Sequence, residues 1–560
     1  MLNRSSWKCL TPAVAAAVLV ACGGSDNGSN AVEVPVPATK YRVLPYLQNP
    51  SYDAMTIRWL TDTNVPGTLV VEGVGAFESQ PELAQHLVYA ESEVAYIHGD
   101  KNKGEIHSDT PAGQAPVTPY MHEVRVTGLQ ANTQYQYKVE QPGTEQAFSA
   151  HFKTAPAQGA RASLRFVVMS DMETEPESTA KTVDWAASAA AIGGDKLESD
   201  PSTYKRQYPV DQTTGYQATI RHAAQRSPDY WLIAGDLVEK GGRQLDWDEF
   251  WRHGAGEWGT LASTTPILPA LGNHENYWHP TEGAYSVAAI ERAYSKWNTY
   301  WDLPENGSSN ANYQGRYYRQ DMGPVTLITL DSSNGDDNDP LKDTNLLIKD
   351  AQDSVPDFNQ GTAQWNWAEA QLADARAKGQ IVFVQWHHMP FGTGVHSYPS
   401  GSAGIAQGQD NQSGAPMRIY HELMTRYGVT AVFAGHDELL ETALLDGVQY
   451  WDVGFAGDGL RGPGYVPSNT YVPIDTLPPE AQQTHWSAHG DAPEVWEGER
   501  LVSGGKHYGF LEVDVTPENQ GYRVKMTPRY NLPVMDAAGK ATGEFQYLAY
   551  DKVVDVLVAN

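Results

Sequence analysis

The sequence predicts two domains, an N-terminal β-sandwich followed by a layered α/β domain. Its 560 residues exceed what a single hydrophobic core usually holds. Before Pro156, short runs alternate polar and apolar residues, whereas after it longer apolar runs are separated by helical patterns. This change of pattern places a domain boundary near residue 156.

The first predicted domain, residues 40–156, has a hydrophobic period of two. β-Branched and aromatic residues are frequent in its short runs, and turn residues separate them, as in antiparallel sandwiches. The runs that show this pattern are 54–62, 67–73, 121–129, 133–140 and 146–155. Trp59, Tyr135 and Tyr137 are the expected aromatic anchors of the core.

The second predicted domain, residues 160–535, contains apolar runs typical of strands that are covered on both faces. These runs are 164–171, 229–236, 266–275, 324–332, 380–388, 429–438 and 448–459. Helical patterns at 215–226, 284–299 and 363–378 lie between them, which predicts a layered α/β architecture. Residues 536–560 are expected to form a C-terminal extension.

Residues 1–21 have the features of a bacterial lipoprotein signal peptide. Arg4 and Lys8 precede an apolar run that is too short to span a bilayer. The run ends in LVAC, which resembles a lipobox and makes Cys22 the expected lipidation site. We therefore expect an exported, membrane-anchored protein at the outer membrane or cell surface, tethered through the Gly-, Ser- and Pro-rich residues 22–39. An ordinary signal peptide is the alternative.

The composition excludes several classes of partner. The formal charge of −29 argues against binding to nucleic acid or to an anionic membrane surface, so the lipid anchor is the only expected contact with a membrane. The two cysteines, Cys9 and Cys22, both lie in the N-terminal segment, so the folded domains are expected to contain no disulfide.

Polar residues follow the apolar runs of the second domain. The carboxyl ends of strands in open α/β sheets are where ligands bind. The residues in these positions are Asp171, Asp236, Asn273, His274, His387, His388, His436 and Glu438. Carboxylate, amide and imidazole groups together suit a hard or borderline metal ion, and the absence of a G-x-S-x-G motif argues against a serine hydrolase.

In chain order, SDME, AGDLVEKGG, LGNHE, QWHHMPF and AGHDE resemble the five motifs of calcineurin-like metallophosphoesterases. The earlier segment PYLQNPSYDAMTIRW is similar to the start of the fibronectin-type N-terminal domain of purple acid phosphatases. Together they point to the purple-acid-phosphatase branch. The resemblance implies a β-sheet sandwich flanked by helices and a site for two metal ions.

The resemblance also implies a role for each motif residue. Asp171 would bind the first metal ion and Asp236 would bridge both ions. The expected remaining ligands of the second ion are Asn273, His387 and His436. His274 would act with Asp236 in catalysis without binding metal, by donating a proton to the phosphoryl oxygens or the leaving group.

Three residues depart from the purple acid phosphatase pattern. Glu239 stands where the iron-binding tyrosine is expected, Glu438 replaces the last histidine of G-H-x-H, and Glu173 follows the first aspartate by two positions. We expect Glu438 to be a metal ligand and Glu173 and Glu239 to be ligands or their neighbours. This oxygen-rich site favours Mg²⁺, Mn²⁺, Ca²⁺ or Fe³⁺, whereas the second site suits Zn²⁺, Mn²⁺ or Fe²⁺.

Two histidine assignments have alternatives. Alignment of HHMPF with the family motif makes His387 the ligand, and His388 is the alternative. His396 lies where related phosphatases place a substrate-facing histidine, although a surface loop position explains it equally well.

The expected function is that of an exported binuclear phosphatase that hydrolyses small phosphomonoesters through a metal-bridging hydroxide. Two divalent or mixed-valence metal ions are the implied cofactors. A phosphodiesterase or nucleotidase using the same site is one alternative, and a non-catalytic surface binding protein with a degraded first metal site is another. The sequence leaves the leaving group and the oligomeric state open.

Overall fold

The computed structural model describes most of the chain after the predicted tether. The described residues are 38–99, 104–107, 109–178, 183–185, 206–208, 212–278, 285–334, 354–394, 396–398, 412–457, 459, 472–488, 495–497, 500–503, 507–537 and 541–559. The predicted signal peptide at 1–21 and the predicted lipidation site Cys22 lie outside them. The segment Ala38–Asn560 forms one compact unit. None of the described helices combines the length and apolar character needed to cross a membrane.

The N-terminal part is a sandwich of two four-stranded antiparallel sheets. Its strands are β1 (Tyr41–Gln48), β2 (Ala54–Thr61), β3 (Thr68–Val71), β4 (Gly75–Glu78), β5 (Glu82–Leu83), β6 (Tyr120–Thr127), β7 (Gln134–Glu140) and β8 (Phe148–Lys153). The sheet orders are β1-β2-β6-β5 and β4-β3-β7-β8. Helix α1 (Glu91–Gly99) lies between β5 and β6 along the chain. Alternate residues enter the core, where Trp59 and Tyr137 are buried and Tyr135 is partly buried.

The C-terminal part contains two seven-stranded sheets. The first has strands β9 (Leu164–Met169), β12 (Tyr230–Ile233), β13 (Ile267–Pro269), β23 (Tyr508–Glu518), β24 (Gly521–Met535), β25 (Ala541–Ala549) and β26 (Val554–Ala559). The second has β14 (Tyr318–Met322), β15 (Val325–Thr329), β16 (Ile381–His388), β17 (Ala431–Gly435), β18 (Leu440–Leu445), β19 (Val448–Val453) and β20 (Trp486–Ser487). Two separate strand pairs are β10 (Val183–Trp185) with β11 (Arg206–Tyr208) and β21 (Val495–Glu497) with β22 (Arg500–Ser503).

Helices cover the outer faces of these two sheets. They are α2 (Gln212–Gln225), α3 (Gln244–Gly254), α4 (Leu261–Thr264), α5 (Val287–Tyr300), α6 (Ala363–Ala377), α7 (His421–Arg426) and α8 (Pro479–Thr484). The inner faces share one apolar core, in which the rings of Phe166 and Phe383 lie 5.9 Å apart. Trp231 packs outward against α3, and Trp386 packs in the core that contains α6. The predicted fold class, a β-sandwich followed by a helix-flanked sheet sandwich, is therefore confirmed.

The structure differs from the expectation at the C-terminus. Residues 536–560 are not a separate extension, because β25 and β26 both pair with β24 in the first sheet. Antiparallel pairing places this segment beside strands that it follows closely along the chain. The α/β domain consequently continues to the end of the described residues.

Candidate metal centre

The loops that follow the parallel strands of both sheets meet at one edge of the domain. Strands β9, β12 and β13 are parallel in the first sheet, and β16 and β17 are parallel in the second. Ligand atoms of Asp236, His387 and His436 lie within 4.8 Å of one another, and the same holds for Glu173, Asp236 and His274. Asp236 is common to both clusters, the position that a bridging ligand would occupy.

Strained backbone conformations are concentrated at this edge. Among the described residues, nine non-glycine residues have positive φ. Five of the nine belong to the candidate site: Asp171, Glu173, Asp236, His436 and Glu438. Such conformations cost free energy and persist where the surrounding structure over-determines them, often at functional sites. The turns therefore direct these side chains towards the site at a cost in stability.

The glycines of the motifs make room for the ligands. A Cβ atom at Gly272 would lie 2.0 Å from Oδ1 of Asp236, and one at Gly435 would lie 2.1 Å from Oδ2 of Asp171. Since these distances are far below van der Waals contact, any larger residue would displace a carboxylate. The motifs therefore require glycine for packing reasons, independently of any ligand.

His387 has the orientation of a metal ligand. Its Nδ1 lies 2.9 Å from the carbonyl oxygen of Ala234, which can only accept, so Nδ1 carries the proton of the neutral ring. Its Nε2 lies 2.8 Å from Oδ2 of Asp236 without the geometry of a hydrogen bond. Burial lowers the pKa of His387, but the Asp236 carboxylate outweighs it and raises that pKa to about 9. Metal binding would have to displace this proton.

Neighbouring imidazoles also change the pKa of Asp236. Burial alone would raise it, but the imidazoles of His387 and His274 lower the pKa of Asp236 to about 2. Asp236 is therefore an ionised carboxylate at neutral pH even though it is buried. An ionised carboxylate is the form that binds metal ions.

Asn273 offers an oxygen that the protein does not satisfy. Its Oδ1 is buried and accepts no hydrogen bond, whereas its Nδ2 donates to the hydroxyl of Tyr285 at 3.3 Å. A buried amide oxygen without a partner costs free energy and requires an explanation. A metal ligand role supplies one, so the donor set fits the ions that the resemblance implies.

Asp171 and His436 connect the two sheets at the site. Both carboxylate oxygens of Asp171 accept the backbone N–H of His436, at 2.9 and 3.1 Å. Burial raises the pKa of Asp171 to about 6. Burial, with the neighbouring histidines, holds the pKa of His436 well below its usual range, which keeps the ring in the neutral form that can bind metal.

His274 lies beside the site and partly faces solvent, with a quarter of its side chain exposed. Its backbone N–H donates to Oδ1 of Asp236 at 3.0 Å, and its Nδ1 donates to the carbonyl oxygen of Glu239 at 2.7 Å. Burial opposes protonation of the ring, but Asp236, Glu173 and Glu239 raise its pKa well above the usual range. His274 is thus held as a cationic donor.

The three glutamates that depart from the family pattern occupy different positions. Glu173 belongs to the cluster with Asp236 and His274, and its Oε1 is 3.9 Å from Nε2 of His274. Glu239 is partly exposed, with its Oε2 3.9 Å from Nδ1 of His274. Glu438 is buried, but it is in neither three-residue cluster formed with Asp236 by the described residues. Glu173 is therefore the one that the structure places nearest to a ligand cluster.

His388 and His396, the two histidines with alternative assignments, both lie close to His436. The ring of His388 is 4.3 Å from that of His436, and its Nδ1 is 2.8 Å from Oγ of Ser332. His387, rather than His388, shares a cluster with Asp236. The ring of His396 is 4.2 Å from that of His436, so His396 is beside the centre and not on a distant surface loop.

Glu275 is a site residue to which the sequence analysis assigned no role. It is fully buried and accepts backbone N–H groups from Asp236 (2.9 Å), Leu237 (2.8 Å), Val238 (3.3 Å) and Gly272 (2.8 Å). These bonds explain why a glutamate follows Asn-His at the end of an apolar run. Glu275 is visible in LGNHE, but its function depends on a loop 37–39 residues earlier in the chain.

Two family profiles match the chain. Residues 164–437 match the Calcineurin-like phosphoesterase family, and residues 42–154 match the Purple acid Phosphatase N-terminal domain. The first match lies within the C-terminal part of the chain, and the second lies within the N-terminal sandwich. Together they include all of the candidate metal ligands except Glu438.

Several curated relatives are similar in sequence. An uncharacterized protein of Mycobacterium tuberculosis is 24% identical over 378 residues, which cover 66% of this chain and 56% of that protein. Purple acid phosphatase 21 of Arabidopsis thaliana is 23% identical over 316 residues, which cover 56% of this chain and 52% of that protein. The chain thus spans about half the length of the curated relatives that it matches.

Two solved structures share the fold. The purple acid phosphatase PPD1 from yellow lupin, Lupinus luteus, has a TM-score of 0.53 and 16% identity, with coverage of 93% of this chain and 74% of that one. PhoD has a TM-score of 0.53 and 14% identity, with coverage of 96% and 92%. At this identity, the likeness establishes the common architecture alone.

Proposed function

Because the chain joins a purple acid phosphatase N-terminal domain to a calcineurin-like phosphoesterase domain, we propose that it is an exported, dimetal-dependent phosphatase that hydrolyses phosphomonoesters. The observation that carries this proposal is the position of Asp236, which belongs to two clusters of ligand atoms. A carboxylate has two anionic oxygens and can therefore serve two cations at once. The substrate would be a small phosphorylated molecule.

Five residues would hold the metal ions: Asp171, Asp236, Asn273, His387 and His436. The orphaned Oδ1 of Asn273 and the close approach of His387 to Asp236 support this assignment. When bound, two metal ions activate water and neutralise negative charge on a phosphoryl group. Glu173 and Glu438 would add negative charge near the first ion.

His274 would act on the substrate directly. Its Nδ1–H is occupied by the Glu239 carbonyl, which leaves Nε2–H to donate to a phosphoryl or leaving-group oxygen. Its partial exposure is what contact with a substrate requires. Asp236, besides binding metal, fixes His274 by accepting its backbone N–H. His396 lies next to His436, where it would also be close to a bound substrate.

Two alternatives to a phosphomonoesterase remain: an enzyme that acts on a different substrate, and a protein that binds without turnover. A phosphodiesterase or nucleotidase would use the same ligands. A non-catalytic binding protein would require a degraded metal site, whereas Asp171, Asp236 and Asn273 are all retained in the motifs, which supports an intact site. We therefore favour an intact catalytic centre.

The experiment is hydrolysis of p-nitrophenyl phosphate and bis(p-nitrophenyl) phosphate by protein reconstituted with Mn²⁺, Zn²⁺, Mg²⁺ or Fe. We expect the monoester to be the better substrate, and we expect turnover to disappear in Asp236→Asn. Faster hydrolysis of the diester would favour the phosphodiesterase. No turnover of either ester with any metal would contradict the proposal and favour the binding protein.

We also propose that Cys22 is lipidated and anchors the exported protein to a membrane. The LVAC sequence, which resembles a lipobox, supports this proposal. Lipidation would attach two or three acyl chains, which bind a membrane far more strongly than one chain does. Cys22→Ser should move the protein from the membrane fraction to the soluble fraction. Recovery of wild-type protein with an unmodified N-terminus in the soluble fraction would contradict it.

A further inference from the structure

Three buried carboxylates lie next to the metal centre but are not part of it. Asp437, Glu441 and Asp452 are 2%, 0% and 0% exposed, and their ligand atoms lie within 4.8 Å of one another. Asp437 directly follows His436, Glu441 lies on β18 and Asp452 lies on β19. This carboxylate cluster needs its own explanation, because nothing in the proposed phosphatase chemistry uses it.

The pairing of β18 with β19 brings two like charges of the cluster together. Glu441 and Asp452 are direct cross-strand partners on β18 and β19, so their side chains lie side by side on the same face. Like charges in such a pair are destabilising, and burial increases the cost. The described basic groups that face the cluster are the imidazoles of His485, 2.6 Å from Oε2 of Glu441, and His396, whose charge interacts with Asp437. Two imidazoles do not compensate three buried carboxylates at neutral pH.

An unsatisfied oxygen indicates independently that a partner is missing. Oδ2 of Asp452 is buried and has no hydrogen-bond partner, although the residue is fully inaccessible to solvent. Its Oδ1 accepts the backbone N–H of Gly454 at 2.9 Å. Burial also raises the pKa of the Asp452 carboxyl well above its usual range. Without a partner, the buried Asp452 carboxyl therefore costs free energy in both its ionised and its protonated form.

We propose that Asp437, Glu441 and Asp452 bind a third, structural cation, a hard divalent ion such as Ca²⁺. Carboxylate oxygens are the ligands that such ions prefer. Oxygens within 4.8 Å of one another can surround one ion at Ca–O distances of about 2.3–2.6 Å. The cation would offset the like charges of the cross-strand pair and satisfy Oδ2 of Asp452.

The same carboxylates hold a loop over the metal centre. Glu441 accepts the backbone N–H of Thr393 at 2.8 Å and its hydroxyl at 2.7 Å. Asp437 accepts the backbone N–H of His396 at 2.7 Å and the hydroxyl of Ser397 at 2.8 Å. The proposed cation would therefore fix, through these anchors, the loop that carries His396.

Two glycines allow this close approach. A Cβ atom at Gly392 would lie 2.3 Å from Oε1 of Glu441, and one at Gly394 would lie 2.1 Å from Cγ of Asp437. The loop therefore packs directly on the carboxylates, with no side chain between them. Loss of the cation should loosen the loop as well as the cluster.

The test is the number of Ca²⁺ ions bound per chain, measured by calorimetric titration and by metal analysis after dialysis. Asp452→Asn keeps the shape of the side chain and removes its charge. Asp446→Asn is the matched control, because Asp446 lies in the turn between β18 and β19, is exposed, and has a positive φ that asparagine tolerates. Each variant is also made in the Asp236→Asn background, so that Ca²⁺ at the metal centre does not enter the count.

In the Asp236→Asn background, we expect the parent protein and Asp446→Asn to bind one Ca²⁺ that Asp452→Asn lacks, and we expect Ca²⁺ to raise the melting temperature only in the proteins that bind it. Equal Ca²⁺ binding and an equal melting-temperature shift in Asp452→Asn would overturn the proposal and leave a shared proton as the explanation. If Asp452→Asn does not fold, Glu441→Gln is measured against the same two criteria.

The count does not depend on phosphatase activity. An inactive protein that binds Ca²⁺ through Asp452 would contradict the proposed function while supporting the third site. An active enzyme with no Ca²⁺ site at Asp452 would support the proposed function and contradict the third site.

Discussion

The carboxylate of Glu275 holds the backbone of Asp236, whose N–H donates to Oε2 of Glu275 at 2.9 Å. In return, Oδ1 of Asp236 accepts the backbone N–H of His274, the residue before Glu275, at 3.0 Å. The loops after β12 and β13 are therefore linked in both directions. This linkage supports the positive φ at Asp236 and sets the position of the shared ligand.

Glu275→Gln should weaken metal binding without removing a ligand. One carboxylate oxygen would become an NH₂ group that faces backbone N–H donors, so the Asp236 loop would shift. Loss of a partner that orients a ligand typically costs about 10–100-fold in metal affinity. Metal titration of the purified protein measures the effect, with the exposed Glu257→Gln as control. Identical affinities in the two variants would show that Glu275 does not position the ligand.

His274→Ala should leave the metal content nearly unchanged and lower kcat. A group that donates a proton in the transition state typically contributes about 10²–10⁴-fold, and the loss should be greatest for substrates with poor leaving groups. The measurement compares kcat for alkyl and aryl phosphates, with metal analysis of the same samples. Loss of metal from His274→Ala would mean that His274 is a ligand.

His122 should make the N-terminal domain sensitive to acid. The ring is buried, stacks on Trp59 and lies 2.9 Å from the hydroxyls of both Thr61 and Ser79. Burial lowers the pKa of His122 to about 4, so the unfolded chain binds a proton more readily than the folded one. The contribution is fully present above about pH 6.5 and is lost as the pH falls to about 4, by roughly 3 kcal/mol.

The free energy of unfolding from urea titrations at pH 7, 5 and 4 checks this slope. His122→Gln, which can still bond to both hydroxyls, should be less sensitive to acid over the same interval. Parallel pH profiles for the two proteins would show that His122 does not titrate as we expect.

The iron-loaded protein should be colourless. Visible absorption in purple acid phosphatases comes from a phenolate bound to ferric iron, and Glu239 stands in the tyrosine position of the motif. Tyr285 contacts Asn273 through the amide nitrogen and not through Oδ1. A strong visible band that disappears in Tyr285→Phe would identify Tyr285 as a ligand and contradict this prediction.

Most of the fold, and the polar residues that gather at one edge of the sheets, could be predicted because they depend on local patterns. Apolar runs that end in Asp236, Asn273 or His436 indicate strands, and the polar residues at their carboxyl ends, within a few residues. The two strands β25 and β26 could not be recognised in this way, since their pairing with β24 is a tertiary contact. That His387, and not His388, lies in the cluster with Asp236 also needed the structure, because β16 is irregular between Gln385 and His388.

The carboxylate cluster shows the same limit. In the sequence, Asp437, Glu441 and Asp452 are three ordinary acidic residues, and only the pairing of β18 with β19 brings two of them together. Glu275 was visible in the motif, but its four backbone donors come from residues on two loops. Roles that depend on contacts between loops therefore could not be predicted from the spacing of residues in the sequence.

We propose that Asp236 serves two metal ions, and the transition-metal content of Asp236→Asn beside wild type after reconstitution with Mn²⁺ or Zn²⁺ tests this. We predict about two ions per chain in wild type and a weakened affinity for both in the variant, with turnover lower by orders of magnitude and the fold retained by circular dichroism. A variant that keeps both ions at wild-type affinity, or that loses only one, would contradict the claim that Asp236 bridges them.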